Sequence, residues 1–204
     1  MNAPTSPALS AAEQTAAARI GGALFRQRGW LPVPFLVVPL LAPGTPTVRT
    51  TLAGLVLVVL GEAWRLWGIA AAGTVTRRRS RDVQRLVTYG AFGWSRNPLY
   101  NGNFLLWMGF ITISGVLWFL PVAALLFAVE YSLIVAYEEG VLESTFGEEY
   151  LAYKARAPRW LPRPPRARET GPHDWGEAIR SERDTVLAYV VLGAVFWAKA
   201  RYWR

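Results

Sequence analysis

The chain has 204 residues, of which 52% are hydrophobic and 18% charged, and its net charge is +8. The absence of cysteine excludes a disulfide framework, a thiolate nucleophile and a thiolate metal site, and a lone histidine, His173, cannot build a zinc centre. Arginines flank apolar runs and ten tryptophans accompany them, a pattern of membrane edges rather than of nucleic-acid binding.

Residues 1–18 are Ala-rich and polar, with neither a basic nor an apolar signal region, and read as a flexible tail. Arg19, Arg26 and Arg28 then lead to an apolar run over 31–42, interrupted by Pro32, Pro34 and Pro39. This predicts a first, kinked membrane helix extended by Leu24 and Phe25. The clearest span is 51–72. At ~1.5 Å per residue it is long enough to cross a bilayer core. Glu62 and Arg65 sit inside it, three residues apart and so on one helix face. They are read as a pair that locks helix packing, or as an arginine reaching for an anionic headgroup. Glu130, in a later span, is a second candidate partner for Arg65.

Four arginines within residues 77–81 mark the cytoplasmic side of that span. A loop or short helix over 86–94 contains Gly90 and Gly93, and Arg96-Asn97-Pro98 opens the next helix, with proline suited to its first turn. Two apolar stretches, 99–114 and 117–137, are broken at Ser114-Gly115 and predict a helical hairpin that returns the chain to the face it left. A charged amphipathic segment over 143–162 and an arginine- and proline-rich stretch through Arg168 read as interfacial. Residues 173–183 are polar, and 184–204 form a last apolar helix. If that helix crosses fully, Lys199, Arg201 and Arg204 fall on the side opposite the other arginines, so an interfacial or partly inserted position is the alternative.

Two polar strings carry the chemistry. The first is Arg96-Asn97-Pro98-Leu99-Tyr100-Asn101-Gly102; the second is Glu138-Glu139, followed by Phe146-Gly147-Glu148-Glu149-Tyr150. An ionisable side chain at the bilayer centre costs roughly 2.5–3.5 kcal/mol, and less near the interface, so such groups need a reason. The predicted hairpin brings both strings to the cytoplasmic face. There a guanidinium, a phenol and two carboxylates surround one pocket mouth, and Gly102 permits close approach of a backbone or a ligand. That arrangement suits a soluble zwitterionic cofactor meeting a membrane-held substrate. Each string alone also reads simply as the point where a helix leaves the membrane. His173-Asp174 lacks a serine or cysteine nucleophile, and no strand–GxGxxG–helix unit is present.

With Val87-Thr88-Tyr89-Gly90 before them and Pro158-Arg159-Trp160-Leu161-Pro162 after, the two strings form an ordered set that resembles the isoprenylcysteine carboxyl methyltransferase family, which sits with membrane phospholipid methyltransferases. The resemblance runs over about 54–162. It implies S-adenosylmethionine as methyl donor, held by Thr88, Gly90, Arg96, Asn97, Tyr100, Gly102, Glu138 and Glu139. Asn97 stands where the family usually has histidine. Asparagine can donate and accept hydrogen bonds but does not titrate near neutral pH.

The expected fold is therefore an all-α polytopic transmembrane bundle of about five membrane helices, two of them a hairpin, with a cofactor pocket on the cytoplasmic face. The expected organisation is a tail over 1–18, a membrane methyltransferase core over 19–168, and a linker with the last helix over 169–204. The expected activity is methyl transfer to a lipid or hydrophobic small-molecule acceptor. Arg96 and Arg159 would anchor an anionic acceptor, and Glu139 would serve as base for an amine. An NADPH-dependent sterol-type reductase and a non-enzymatic membrane scaffold are the competing readings.

Overall fold

The structure is a computed structural model that describes residues 16–27, 30, 32–73, 85–165 and 169–202. The tail up to residue 15, the arginine run at 77–81, and Arg28, Arg166, Arg168, Trp203 and Arg204 lie outside the described residues. Every regular element among the described residues is a helix: α1 (Ala16–Gln27), α2 (Pro32–Leu41), α3 (Val48–Ala72), α4 (Ala91–Trp94), α5 (Pro98–Ser114), α6 (Phe119–Phe146), α7 (Glu148–Arg156) and α8 (Trp175–Tyr202).

Helix α3 starts at a reciprocal capping box, in which the Thr50 amide donates to the Thr47 hydroxyl at 3.1 Å and the Thr47 amide to the Thr50 hydroxyl at 2.8 Å. Close packing of α3 on α5 depends on glycine. A Cβ on Gly61 would lie 2.8 Å from the Gly102 carbonyl oxygen, and one on Gly102 would lie 2.7 Å from that of Gly61. Gly54 and Gly109 repeat this exchange further along. The two backbones therefore meet with nothing between them. Helix α6 returns beside α5, with Phe104 against Phe127 at 5.1 Å and Tyr100 against Tyr131 at 4.6 Å between ring centroids. At φ 52° Gly147 ends α6 and lets α7 leave in a new direction.

Helices α3 and α6 are long and apolar enough to cross a membrane. Each shows an apolar ridge to its surroundings: Leu52, Val56, Val59 and Leu60 on α3, and Val122, Leu125, Leu126 and Val129 on α6. Contiguous exposed apolar surface of this kind needs a lipid or protein partner. Two of the roughly five membrane helices expected from the sequence thus meet the length and composition that crossing requires.

Three expectations are corrected. Leu24 and Phe25 do not extend the first apolar run; they belong to the separate helix α1, which ends before Trp30. Helix α1 seats Gly21 and Gly22 against Leu133 and Tyr137 of α6; a Cβ on Gly21 would clash with the Leu133 carbonyl, and one on Gly22 would press the Tyr137 ring at 3.1 Å. The polar stretch before the last apolar run is helical from Trp175, because Asp174 accepts the Glu177 amide at 2.8 Å as a cap and donates its own amide to the Ala70 carbonyl at 2.9 Å. Arg65 does not pair with Glu130. It lies 3.6 Å from Glu62 and donates to Asn103 of α5 at 2.5 Å and to Glu182 of α8 at 2.9 Å.

Helix α8 runs the length of the bundle. Ala178 packs on Ile69 and Ala70 near one end of α3, and Phe196 packs on Leu106 and Phe110 of α5. At the far end the Lys199 ammonium donates to the carbonyls of Pro39 and Ala42 at 2.6 and 2.5 Å, capping α2. Lys199, half-buried, thus places its charge at the carbonyl end of α2.

Candidate active site

The first polar string lies at the α4–α5 junction, stitched to the segment after α7. The Arg96 amide donates to the Pro158 carbonyl at 2.8 Å, and Asn101 donates to the Trp160 carbonyl at 2.8 Å. Ser95 is fully buried; its hydroxyl faces the Arg159 and Trp160 carbonyls at 3.3 and 3.2 Å and accepts from Asn101 at 2.9 Å. Asn97 spans the same gap, donating to the Arg159 carbonyl at 2.9 Å. A neutral amide donor suffices there.

Arg96 does two jobs. Its Nη1 donates to the Lys154 and Ala157 carbonyls at 3.0 and 2.8 Å, satisfying acceptors that the end of α7 leaves open. Its Nε and Nη2 face Glu139 Oε1 at 3.2 and 2.8 Å. Arg159 approaches the same carboxylate from the other side, at 3.1 Å to Oε1 and 2.6 Å to Oε2. Glu139 is thus the centre of an Arg–Glu–Arg triplet and both its oxygens are engaged. One turn of α5 away, the Tyr100 phenol donates to Glu138 Oε1 at 3.0 Å, so the neighbouring carboxylates of α6 serve different partners.

The structure therefore joins Arg96, Glu139 and Arg159 in one triplet, with Asn97 tied to the Arg159 carbonyl, and pairs Tyr100 separately with Glu138 on the next residue of α6. Three other expected residues face elsewhere. The Thr88 hydroxyl donates to Glu169. Gly90 lies against His173, whose Nε2 is 2.7 Å from where a Cβ on that glycine would be. Gly102 lies at the α3–α5 crossing. Sequence reasoning missed Ser95 and Asn101 as structural members of the site. Their signal was available: Ser95 precedes the arginine string and Asn101 lies within it, both polar residues beside an apolar stretch.

Burial surrounds the site with phenols. Tyr150 and Tyr153 of α7 are buried, and burial pushes both phenols above the ordinary tyrosine range. They stay protonated at neutral pH, and Tyr153 donates to the Phe92 carbonyl at 2.8 Å, tying α7 to α4.

Helices fit to cross a membrane, with a polar cluster gathered at the end of the bundle where α5 begins and α6 closes, define the class: a membrane protein with a buried polar site. Comparison with known proteins narrows this. Residues 49–149, about half the chain, match the phospholipid methyltransferase family. Protein-S-isoprenylcysteine O-methyltransferase of Homo sapiens is 35% identical over 124 residues, covering 55% of this chain and 41% of that protein. The enzyme of the same name from Rattus norvegicus is 34% identical over 118 residues, covering 54% and 40%. Protein-S-isoprenylcysteine O-methyltransferase B of Arabidopsis thaliana is 32% identical over 117 residues, covering 53% and 57%. The chain thus spans about half the length of the curated relatives it matches. No solved structure matches it. The chain belongs to the isoprenylcysteine and phospholipid methyltransferase family of membrane proteins.

Proposed function

We propose that the chain is an S-adenosylmethionine-dependent membrane methyltransferase acting on a lipid or lipid-like acceptor at the cytoplasmic face. One observation carries the reading: an Arg96–Glu139–Arg159 triplet and, on the adjacent residue of α6, a Tyr100–Glu138 hydrogen bond lie side by side at the end of an apolar bundle. The donor set fits the cofactor. Arg96 suits its carboxylate, and Glu138 with Tyr100 suits its ammonium or ribose hydroxyls. When bound, S-adenosylmethionine supplies a methyl group already activated on a sulfonium, so the protein has to bind, orient and exclude water.

Arg96 and Glu139 would fix the floor of that site, and Asn97 would hold the chain after α7 against it. Arg159, more exposed than Arg96, would anchor an anionic acceptor. Engagement of both Glu139 oxygens by guanidinium donors favours an anionic oxygen acceptor over an amine, since an amine needs a base with a lone pair to spare. The relatives' printed name, O-methyltransferase, supports the same preference. Helices α5 and α6 would form a membrane hairpin, and α8 would cross beside α3. The basic segments would lie in the cytoplasm.

The test is ligand-dependent stability. A ligand at 100 times its dissociation constant adds about 2.7 kcal/mol to the folded state. S-adenosylmethionine should raise the thermal midpoint of the purified chain, and Tyr100→Phe together with Glu138→Gln should remove most of the rise. A rise with NADPH alone would replace this reading with a reductase. No rise with either would favour a scaffold.

A further inference from the structure

Residues 169–174, just before α8 and beyond the family match over 49–149, lie as a strap on residues 88–90. The Thr88 hydroxyl donates to Glu169 Oε2, while Glu169 Oε1 takes the Arg156 guanidinium at 2.6 Å. The Tyr89 phenol reaches the Pro172 carbonyl at 3.1 Å, and the strap backbone rests on its ring, since a Cβ on Gly171 would fall 2.4 Å from ring carbons. His173 covers Gly90, its Nε2 2.7 Å from where a Cβ on that glycine would be. The Asp174 amide fastens the end of the strap to the Ala70 carbonyl of α3. Beneath the strap, Thr88, Gly93, Tyr153, Arg156 and Glu169 line a cavity of only about 100 Å³, well below the ~300–1,000 Å³ of small-molecule sites. It shares Arg156 and Ala157 with a cleft of about 370 Å³ that Arg96 lines.

We infer that the strap is a built-in lid that competes with S-adenosylmethionine for residues 88–90 and lifts when the cofactor binds. This rests on the methyltransferase reading, in which Thr88 and Gly90 contact the cofactor. In the closed chain both are taken, Thr88 by the Glu169 carboxylate and Gly90 by the His173 ring. Two features make the closed position easy to leave. The His173 Nδ1 lies 2.9 Å from the Gly171 carbonyl, so Nδ1 carries the proton and Nε2 keeps a lone pair. That Nε2 is buried without a hydrogen-bond partner, a desolvation cost that opening removes. The Arg156 and Glu169 side chains are 53% and 34% exposed, so solvent weakens the ion pair that holds the strap down. A lid of this kind lowers apparent affinity by the fraction of molecules in which it stands open, and loosening it raises that affinity.

The full chain in phosphatidylcholine nanodiscs is titrated calorimetrically with S-adenosylmethionine, beside Glu169→Ala and Gly171→Ala. The first frees Thr88 and Arg156; the second presses the strap off the Tyr89 ring. Glu169→Ala should bind S-adenosylmethionine about fivefold more tightly, the most that a half-exposed ion pair is worth, and Gly171→Ala should shift affinity the same way. Both should lower the thermal midpoint of the ligand-free chain, so stability and affinity move in opposite directions. A second readout needs no cofactor. The chain has no cysteine, so Thr88→Cys supplies a single thiol under the strap. Its reaction with a water-soluble maleimide should quicken about fivefold when Glu169→Ala is added. Unchanged or weaker S-adenosylmethionine binding in Glu169→Ala, or an unchanged labelling rate, would overturn the lid. Faster labelling in chains that bind no S-adenosylmethionine would sink the methyltransferase reading and leave the opening of the strap standing.

Discussion

Replacing Glu139 by alanine strands two guanidiniums that now share one carboxylate. The Arg96 and Glu139 side chains are 11% and 10% exposed, so on that side little water can replace the lost charge. Breaking a buried pair by removing one partner costs ~3–5 kcal/mol. Two features pull this case to the lower end. Arg96 keeps its bonds to the Lys154 and Ala157 carbonyls. The Arg159 side chain is 37% exposed, so solvent screens its share. Glu139→Ala should therefore destabilise the fold by about 3 kcal/mol. Glu139→Gln keeps an acceptor oxygen and should cost roughly 1.5–2 kcal/mol. Equilibrium unfolding in mixed detergent micelles, followed by tryptophan fluorescence, gives these values. Double-mutant cycles then divide the effect. Coupling of Glu139 to Arg96 should be about 2 kcal/mol, and coupling to Arg159 below about 1 kcal/mol. A loss under about 1 kcal/mol for Glu139→Ala, or a coupling to Arg159 as large as that to Arg96, would refute the assignment of Glu139 as the buried centre of the triplet.

Further tests address the frame around the site. Gly102→Ala would place a Cβ 2.4 Å from Arg65 Cγ and 2.7 Å from the Gly61 carbonyl, so α3 and α5 must separate, at a cost of ~1–3 kcal/mol in unfolding experiments. Arg65→Ala takes the guanidinium from Glu182, whose side chain is 1% exposed, and should cost ~3–5 kcal/mol, whereas Arg65→Met with Glu182→Met should recover most of it. Alkaline titration should unfold the chain by way of the buried phenols. With the folded-state values raised, their stabilisation is complete below the unfolded tyrosine value of about 10 and declines as pH rises above it. Tyr153→Phe should flatten that decline; an unchanged alkaline profile would count against it.

Long apolar runs made α3, α5 and α6 legible in the sequence, because lipid-compatible helices need little else to specify them. The separateness of α1 from α2 was less visible: Leu24 and Phe25 were read as an extension of the apolar run, whereas α1 seats Gly21 and Gly22 on α6, a contact more than 100 positions away in sequence. The start of α8 was hidden for a similar reason. Its polar first turns look like a linker until Glu182 is seen to meet Arg65. Within the site, the motif order pointed to Arg96, Tyr100, Glu138, Glu139 and Arg159 as neighbours; Arg96 and Arg159 meet at Glu139, and Tyr100 meets the adjacent Glu138. The motif order could not show that Glu139 faces two arginines while Glu138 faces a phenol, because adjacent helical residues point about 100° apart and only packing decides which way each turns.

The most direct test of the central claim is transfer itself. The purified chain, reconstituted in liposomes of total membrane lipid, is incubated with S-adenosylmethionine labelled on its methyl group, and the lipid extract is analysed by mass spectrometry. Label is expected in a lipid-soluble product, lost in Arg96→Ala and strongly reduced in Arg159→Ala. An extract free of label, from protein whose stability responds to NADPH and not to S-adenosylmethionine, would contradict that claim.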